Sequence, residues 1–119
     1  MTNYDADNVF AKILRGEIPC KKIYEDENVL SFYDINPKAK IHALVITKGM
    51  YVNFQDFVEH SSNKEISDFF RSVLHVCNLL GLKEDGYRLV MNTGKSAGQE
   101  VPHLHVHILG GEILPTDHI

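Results

Sequence analysis

Near the end of the chain, three histidines alternate with three apolar residues in the run His103-Leu104-His105-Val106-His107-Ile108. A period of two is typical of a β-strand, because successive side chains point to opposite faces. The pattern predicts a strand over 103–109 that packs its apolar face on a core and presents its imidazole face elsewhere. Because buried imidazoles need polar partners, a row of three indicates a functional surface rather than a packing surface.

The strongest helical pattern covers residues 62–80. Ser62-Asn63-Lys64-Glu65 matches the capping-box signature, and Gly81 is suited to end the helix. Between these signals, apolar residues recur at helical spacing, at Ile66, Phe69, Phe70, Val73, Leu74, Cys77 and Leu80. One long amphipathic helix of this kind can cover one face of a sheet.

The remaining elements are shorter. A short helix near the N-terminus is expected to be capped by Asp7 and to end at Gly16, with an apolar stripe of Val9, Phe10, Ile13 and Leu14. Further strands are predicted over 21–25, 29–34, 41–47 and 87–91, with a helical turn at 53–57 and a loop at 92–102. Strands and helices do not alternate regularly, so the pattern favours an α+β fold with a five-stranded antiparallel sheet, one long helix and one short helix.

Composition limits the classes of protein that the chain can belong to. Its 119 residues, 44% hydrophobic and 24% charged, fit one domain over 1–119 with loose tails at about 1–6 and 112–119. A net charge of −4 argues against a binder of nucleic acid or of an anionic membrane. No apolar run approaches the roughly 20 residues that span a bilayer, and no signal peptide is visible. The isolated Cys20 and Cys77 favour a reducing cytoplasm.

The histidine row allows three interpretations. It is a set of packed or surface histidines, a metal site, or a catalytic row in which one imidazole is the nucleophile and its neighbours orient it and move protons. In a flat strand the outer histidines lie about 13 Å apart at their Cα atoms, which is too far for one ion. Catalysis on a phosphate also needs an anion-binding loop, and the glycine-containing segment 92–100 directly precedes the row.

Other residues are candidates for the same site. Asp34, at the end of a strand, is either a strand-end residue or a ribose binder, because a carboxylate can accept hydrogen bonds from two vicinal hydroxyls. His42 becomes relevant only if its strand lies beside the histidine strand. Several apolar residues are either core or the walls of a slot for a flat aromatic base, namely Val9, Phe10, Ile13, Phe32 and Ile35.

The run from His103 to Leu109 matches the signature of the histidine-triad superfamily, in which three histidines alternate with apolar residues. The similarity covers nearly the whole chain. Residues 7–27, 32–48 and 92–111 resemble the branch of purine nucleoside phosphoramidate hydrolases that is also called histidine-triad nucleotide-binding proteins. Examples are Phe32-Tyr33-Asp34-Ile35-Asn36-Pro37 and His42-Ala43-Leu44-Val45-Ile46.

The resemblance implies a role for each histidine. His105 attacks the α-phosphorus and forms a nucleotidyl-histidine intermediate, which water then hydrolyses. His42 orients His105 through its other ring nitrogen. His107 contacts the phosphate and helps the leaving amine to depart, and His103 braces the row by hydrogen bonding.

The resemblance also implies how the nucleotide is bound. Asn92, Gln99 and backbone N–H groups near Val101 hold the phosphate oxygens, and Asp34 binds the ribose hydroxyls. The purine lies among the five apolar residues named above as walls of a slot. Because Glu100 stands where many relatives have serine, no side-chain role is carried over to it.

The implied function is the hydrolysis, without a cofactor, of the phosphorus–nitrogen bond in AMP or GMP amides. Nucleotidyltransferase relatives carry glutamine at the position of His107, so hydrolysis is expected rather than transfer.

Family members are homodimers whose two sheets join into one of ten strands. No early Cys-x-x-Cys pair is present, so no structural zinc is expected. The alternatives are a dinucleoside polyphosphate hydrolase, a non-catalytic nucleotide-binding adaptor and a metal hydrolase.

Overall fold

The alternating and continuous apolar runs become strands, and the stretches of helical period become helices. A computed structural model describes residues 3–117 of the chain. The strands are β1 Lys22–Glu25, β2 Val29–Tyr33, β3 Ile41–Thr47, β4 Tyr87–Val90 and β5 His105–Gly110. The helices are α1 Val9–Leu14, α2 Phe54–His60 and α3 Asn63–Leu79, and a 3₁₀ turn spans Lys95–Ala97.

The sheet is antiparallel throughout, in the order β1-β2-β3-β5-β4, as the sequence predicts. In the β3–β5 pairing, Leu44 lies opposite His107 and Ile46 opposite His105. Directly paired residues point to the same face, so even-numbered residues of β3 share a face with odd-numbered residues of β5. His42 is therefore on the face that carries His105 and His107.

Helices α2 and α3 cover the opposite face of the sheet. The side chain of Ser62 accepts the N–H of Glu65 (3.1 Å), and Gly81 adopts a φ of +73° just after the helix, so both predicted boundaries of α3 are confirmed. The core under these helices includes the fully buried Val45, Phe57, Phe69, Val76, Val106 and Ile108.

Helix α1 packs on the histidine face of the sheet. Phe10 forms a second apolar cluster there with Leu30, Phe32, Leu44 and Ile46. Because α1 is only six residues long, it covers part of this face and leaves a cleft between itself and the loop that precedes β5.

Two predictions about the helices are corrected. The cap of α1 is Asn8, whose side chain accepts the N–H of Ala11 (2.9 Å), and not Asp7. The N–H of Asp7 instead donates to the carboxylate of Asp5 (2.9 Å) in a turn that precedes the helix. The turn predicted at 53–57 is a complete second short helix, α2, capped by Asn53.

His103 lies outside the strand, so the prediction that all three histidines share one strand face is wrong for this residue. Its N–H donates to the carbonyl of Val101 (2.8 Å), which closes a three-residue turn around Pro102. Proline has no N–H to contribute to a strand ladder, and β5 begins only at His105.

The two predicted tails contain neither helix nor strand in their described parts, but hydrogen bonds hold them. The N–H of Lys40 donates to the carboxylate of Glu112 (2.5 Å), and Arg88 donates to the carbonyl of Pro115 (2.8 Å). The outermost predicted tail residues, 1–2 and 118–119, lie outside the described residues. Within residues 3–117, no helix has both the length and the apolar character needed to cross a membrane. The cytoplasmic location stays a prediction.

Candidate active site

A cleft of about 490 Å³ lies between α1, the end of β2 and the loop before β5. Its volume is within the range of small-molecule sites, which are typically about 300–1,000 Å³. Every predicted site residue except His103 lines it, namely Val9, Phe10, Ile13, Phe32, Asp34, Ile35, His42, Asn92, Gln99, Val101, His105 and His107. The fold thus brings together residues from four distant parts of the chain.

A backbone carbonyl fixes the ring of His105. Its Nδ1 lies 2.6 Å from the carbonyl oxygen of His103. A carbonyl oxygen only accepts, so Nδ1 carries the proton of the neutral ring and Nε2 keeps the lone pair. The ring of Phe10 packs edge-on against His105, with ring centroids 4.9 Å apart. These contacts leave Nε2 of His105 with a free lone pair, which is the state that a nucleophilic imidazole needs.

The backbone also fixes the tautomer of His42. The N–H of Lys38 donates to its Nδ1 (3.0 Å), so its Nε2 carries the proton. That Nε2 lies 2.9 Å from Nδ1 of His107 and 3.4 Å from the carboxylate of Asp34. His107 then accepts at Nδ1 and keeps a proton on its Nε2. The expectation that His42 orients His105 is therefore corrected, because His42 contacts the ring of His107 instead.

His103 is fully buried and lies behind the cleft. Its Nε2 is 2.7 Å from the carbonyl oxygen of Thr47, so Nε2 donates and Nδ1 is an acceptor. The hydroxyl of Tyr4 lies 2.5 Å from this Nδ1 and donates to it. These bonds agree with the expected bracing role, since the carbonyl of His103 holds His105. Tyr4 is not among the predicted site residues, because the pattern of the first residues predicts a loose tail there.

Burial keeps the imidazoles of the site neutral. The pKa of His107 is lowered to about 4, mainly by loss of hydration and in part by the positive charges that His105 and His42 would carry, against the opposing charge of Asp34. Burial likewise lowers the pKa of His105, although the carbonyl of His103 opposes the shift. It lowers the pKa of His42 against the opposing charge of Asp34. At neutral pH the site therefore contains neutral rings whose tautomers are fixed by their hydrogen bonds.

The buried His103 predicts a pH dependence of stability. Burial lowers its pKa to about 4 in the folded state, whereas an unfolded histidine titrates near 6.5. Below pH 6.5 the unfolded state binds more protons than the folded state. The stability that the neutral ring contributes is therefore fully present above pH 6.5 and is lost as the pH falls towards 4. We expect the free energy of unfolding to drop by about 2 kcal/mol between pH 7 and pH 5 from this residue. Urea denaturation at both pH values measures it, and an equal or larger value at pH 5 would contradict the burial of a neutral ring.

One group of residues at the site has the spacing of metal ligands. Single ligand atoms of Asp34, His42 and His107 all lie within 4.8 Å of one another. A metal ion on Nε2 of His42 would have to displace its proton, and Nδ1 cannot take that proton because it already faces the N–H of Lys38. A neutral imidazole therefore cannot offer Nε2 to a metal in this arrangement. The hydrogen-bond pattern fits a proton-carrying pair of histidines and does not fit a metal centre.

The described residues between β4 and β5 that line the cleft include several unpaired hydrogen-bond donors. Among residues 3–117, the backbone N–H groups of Glu100 and Val101 and the side-chain amide of Asn92 have no hydrogen-bond partner. Backbone N–H groups exposed in this way form anion-binding sites. The predicted phosphate-binding position of Val101 and Asn92 is therefore compatible with the structure.

The predicted phosphate contact of Gln99 is corrected. Its side-chain amide donates to the carbonyls of Val52 (2.7 Å) and Val101 (3.0 Å), and its Oε1 accepts the N–H of Gly94 (2.8 Å). Both amide protons are committed, so no donor remains for a phosphate oxygen. Gln99 lines the cleft but acts as the brace of its loop.

The other end of the cleft is apolar. Phe10 and Phe32 are buried and pack edge-on with ring centroids 5.7 Å apart, whereas Ile35 is 91% exposed and Val9 lies at the rim. Ile18 also lines this end and was missed, because nothing in its local pattern distinguishes it from a turn residue. The cleft therefore has apolar walls at one end and imidazoles with amide donors at the other.

The fold and site define a small α+β protein in which an imidazole of fixed tautomer faces a cleft with apolar walls and a loop of unpaired hydrogen-bond donors. The chain belongs to the HIT domain family, whose family model matches residues 15–113. This family membership confirms the resemblance drawn from the histidine pattern.

Individual relatives extend over most of the chain. It is 53% identical over 111 residues to an uncharacterised 13.2 kDa HIT-like protein of Azospirillum brasilense, covering 93% of this chain and 91% of the relative. It is 38% identical over 108 residues to the purine nucleoside phosphoramidase of Escherichia coli K12, covering 91% and 90%. A crystal structure of a HIT family hydrolase from Legionella pneumophila superposes with a TM-score of 0.86 at 37% identity, covering 93% and 98%.

Proposed function

We propose that the chain hydrolyses the phosphorus–nitrogen bond of purine nucleoside phosphoramidates through a nucleotidyl-histidine intermediate. The observation that carries this proposal is the state of His105, whose Nδ1–H is bound to a backbone carbonyl and whose Nε2 lone pair is left for the cleft. The name of the Escherichia coli relative supports the substrate class.

In the first step, Nε2 of His105 attacks the α-phosphorus and the bond to the leaving nitrogen breaks. The carbonyl of His103 stabilises the positive charge that develops on the ring, because it accepts the Nδ1 proton. A bound phosphate anion raises the pKa of His107, so this ring takes up a second proton from solvent when substrate binds, while the Nε2–H of His42 turns to the carboxylate of Asp34. The cationic ring then passes its Nε2 proton to the departing amine and becomes neutral. Before substrate binds, the Nε2–H of His42 donates to Nδ1 of His107, so the Nε2 proton of His107 lies on the side of the ring away from His42.

In the second step, water attacks the same phosphorus and the bond to Nε2 of His105 breaks. The ring leaves as a neutral imidazole, which is a good leaving group because its pKa lies near neutrality. The neutral His107 takes the proton of the water, which restores the proton lost to the amine. The products are an amine, a nucleoside monophosphate and the unchanged enzyme.

The rest of the cleft matches the parts of a nucleotide. The carboxylate of Asp34 has one oxygen bound to the N–H of Asn36 (2.8 Å), and its other oxygen lies near the polar end of the cleft, where it can accept ribose hydroxyls. Asn92 and the N–H of Val101 hold phosphate oxygens. The apolar residues at the other end receive the purine, although they carry no group that selects adenine over guanine.

A substrate panel tests this function directly. We expect release of AMP and GMP from adenosine and guanosine phosphoramidates, with little or no cleavage of diadenosine polyphosphates. Activity that persists in a strong chelator excludes the metal hydrolase. Preferential cleavage of diadenosine polyphosphates would replace the proposal with the polyphosphate alternative. Tight nucleotide binding without turnover would favour the adaptor.

We also propose that the chain forms homodimers through the edge strand β4. Tyr87 and Leu89 on β4 and Leu74 on α3 are 37%, 45% and 52% exposed, and an edge strand with exposed apolar side chains is suited to pairing with a second copy. Pairing of the two β4 strands would join two sheets into one of ten strands.

Light scattering should give a dimer for the wild type and a monomer for Leu89→Lys, whereas Met50→Lys, at an exposed site away from β4, should remain dimeric. A monomeric wild type would contradict the proposal.

A further inference from the structure

Tyr4 donates to the buried histidine behind the proposed active site. Its hydroxyl meets Nδ1 of His103, and the two rings pack edge-on with centroids 5.5 Å apart. No exposed fraction of His103 remains, so water cannot replace this donor. Without Tyr4, the Nδ1 lone pair of a neutral His103 would be a buried acceptor with no partner, which is costly in a protein interior.

His103 links this contact to the nucleophile. Its Nε2–H donates to the carbonyl of Thr47 (2.7 Å), so its ring is held from both sides, by Thr47 and by Tyr4. The backbone carbonyl of the same residue accepts the Nδ1 proton of His105 (2.6 Å). The residue whose ring Tyr4 and Thr47 hold therefore also supplies the carbonyl that polarises His105.

The N-terminal segment is itself fixed in place by a hydrogen-bonded turn. The side chain of Asn8 donates to the carbonyl of Asp5 (2.8 Å), next to Tyr4, and its Oδ1 caps α1. Phe10, two residues further on, packs edge-on against both His103 and His105, with ring centroids 6.2 Å and 4.9 Å away. One short stretch of chain thus places two aromatic side chains, those of Tyr4 and Phe10, against the histidines.

We propose that Tyr4 is a positioning residue of the active site, which acts through His103 to hold the nucleophilic ring of His105 in its attacking orientation and tautomer. This role rests on the proposed function, but its structural part does not depend on which substrate is used. Tyr4 touches neither the cleft nor the reacting atoms, so it is expected to affect the chemical step rather than substrate binding.

The test is the substitution Tyr4→Phe, which removes only the hydroxyl. Nitrogen NMR of labelled protein should show the Nε2–H tautomer for His103 and the Nδ1–H tautomer for His105 in the wild type. In the variant we expect the ring resonances of both histidines to shift. We also expect single-turnover formation of the nucleotidyl-histidine to slow about tenfold with little change in KM, because the nucleophile is misplaced while the binding groups are intact.

Tyr24→Phe is the matched control. Its hydroxyl donates to the carboxylate of Asp26 (2.9 Å), and its ring packs edge-on against His75 of α3, on the other side of the sheet. This variant should lose a comparable hydrogen bond without shifting either histidine or the single-turnover rate. Unchanged histidine resonances in Tyr4→Phe, or a wild-type His103 protonated at Nδ1, overturns the role of Tyr4. A wild type that cleaves no phosphoramidate but shows the expected resonances overturns the proposed function alone.

Discussion

Replacing His105 with alanine is expected to lower the hydrolysis of adenosine phosphoramidate by about 10⁴-fold or more while the fold and nucleotide binding are retained. The reason is that no other ring of the cleft has a free nitrogen lone pair in the same position. Nε2 of His42 carries a proton, and Nδ1 of His107 is occupied by His42. Steady-state turnover, a thermal unfolding curve and the Kd for AMP provide the three readouts.

His75→Ala is the control for this experiment, because His75 is an exposed histidine on α3 that packs edge-on against Tyr24 on the far side of the sheet. We expect wild-type turnover from this variant. Substantial turnover in His105→Ala, with the control unchanged, would remove the nucleophile assignment and with it the two-step mechanism.

The second large effect is expected at His107 and should depend on the leaving group. His107→Ala should slow the cleavage of phosphoramidates of basic alkyl amines by about 10²–10³-fold, because these amines leave poorly without a proton. Phosphoramidates of weakly basic aryl amines leave more easily, so the same variant should lose much less activity on them. Comparison of kcat for the two substrate classes measures the difference.

Wild-type enzyme treated with the same two substrates is the internal control for this prediction. An equal loss on both classes would show that His107 positions the phosphate and does not protonate the leaving group. That outcome would leave His105 as nucleophile but would contradict the tautomer argument, in which His42 keeps a proton on Nε2 of His107.

Much of the fold could be predicted because the spacing of apolar residues along the chain indicates where the longer helices and strands lie. The helix after Ser62 and the strand 41–47 appear with nearly the predicted bounds, since each carries a strong apolar pattern and a capping or turn signal. The histidine strand could be predicted for the same reason. Its start could not, because the turn at Pro102 depends on a single backbone hydrogen bond that leaves no periodic trace.

The residues that line the cleft could be predicted, but the hydrogen bonds among them could not. Twelve of the thirteen predicted site residues line it, largely because the resemblance supplied residues that the sequence spacing could not connect. What the sequence could not supply was which polar atoms meet. Gln99 bonds to its own loop, His42 meets His107, and Tyr4 reaches His103 across 99 positions of the chain, and each pairing follows from the folded geometry.

If the nucleotidyl group is transferred to Nε2 of His105, the covalent intermediate can be trapped there. Wild-type protein would be mixed with adenosine phosphoramidate, quenched within one turnover under alkaline conditions, digested and analysed by mass spectrometry. We expect one nucleoside monophosphate on the peptide that carries the histidine strand, bonded to nitrogen at His105, as the proposed two-step mechanism requires. An adduct on His42 or His107, or turnover with no adduct at any quench time, would contradict it.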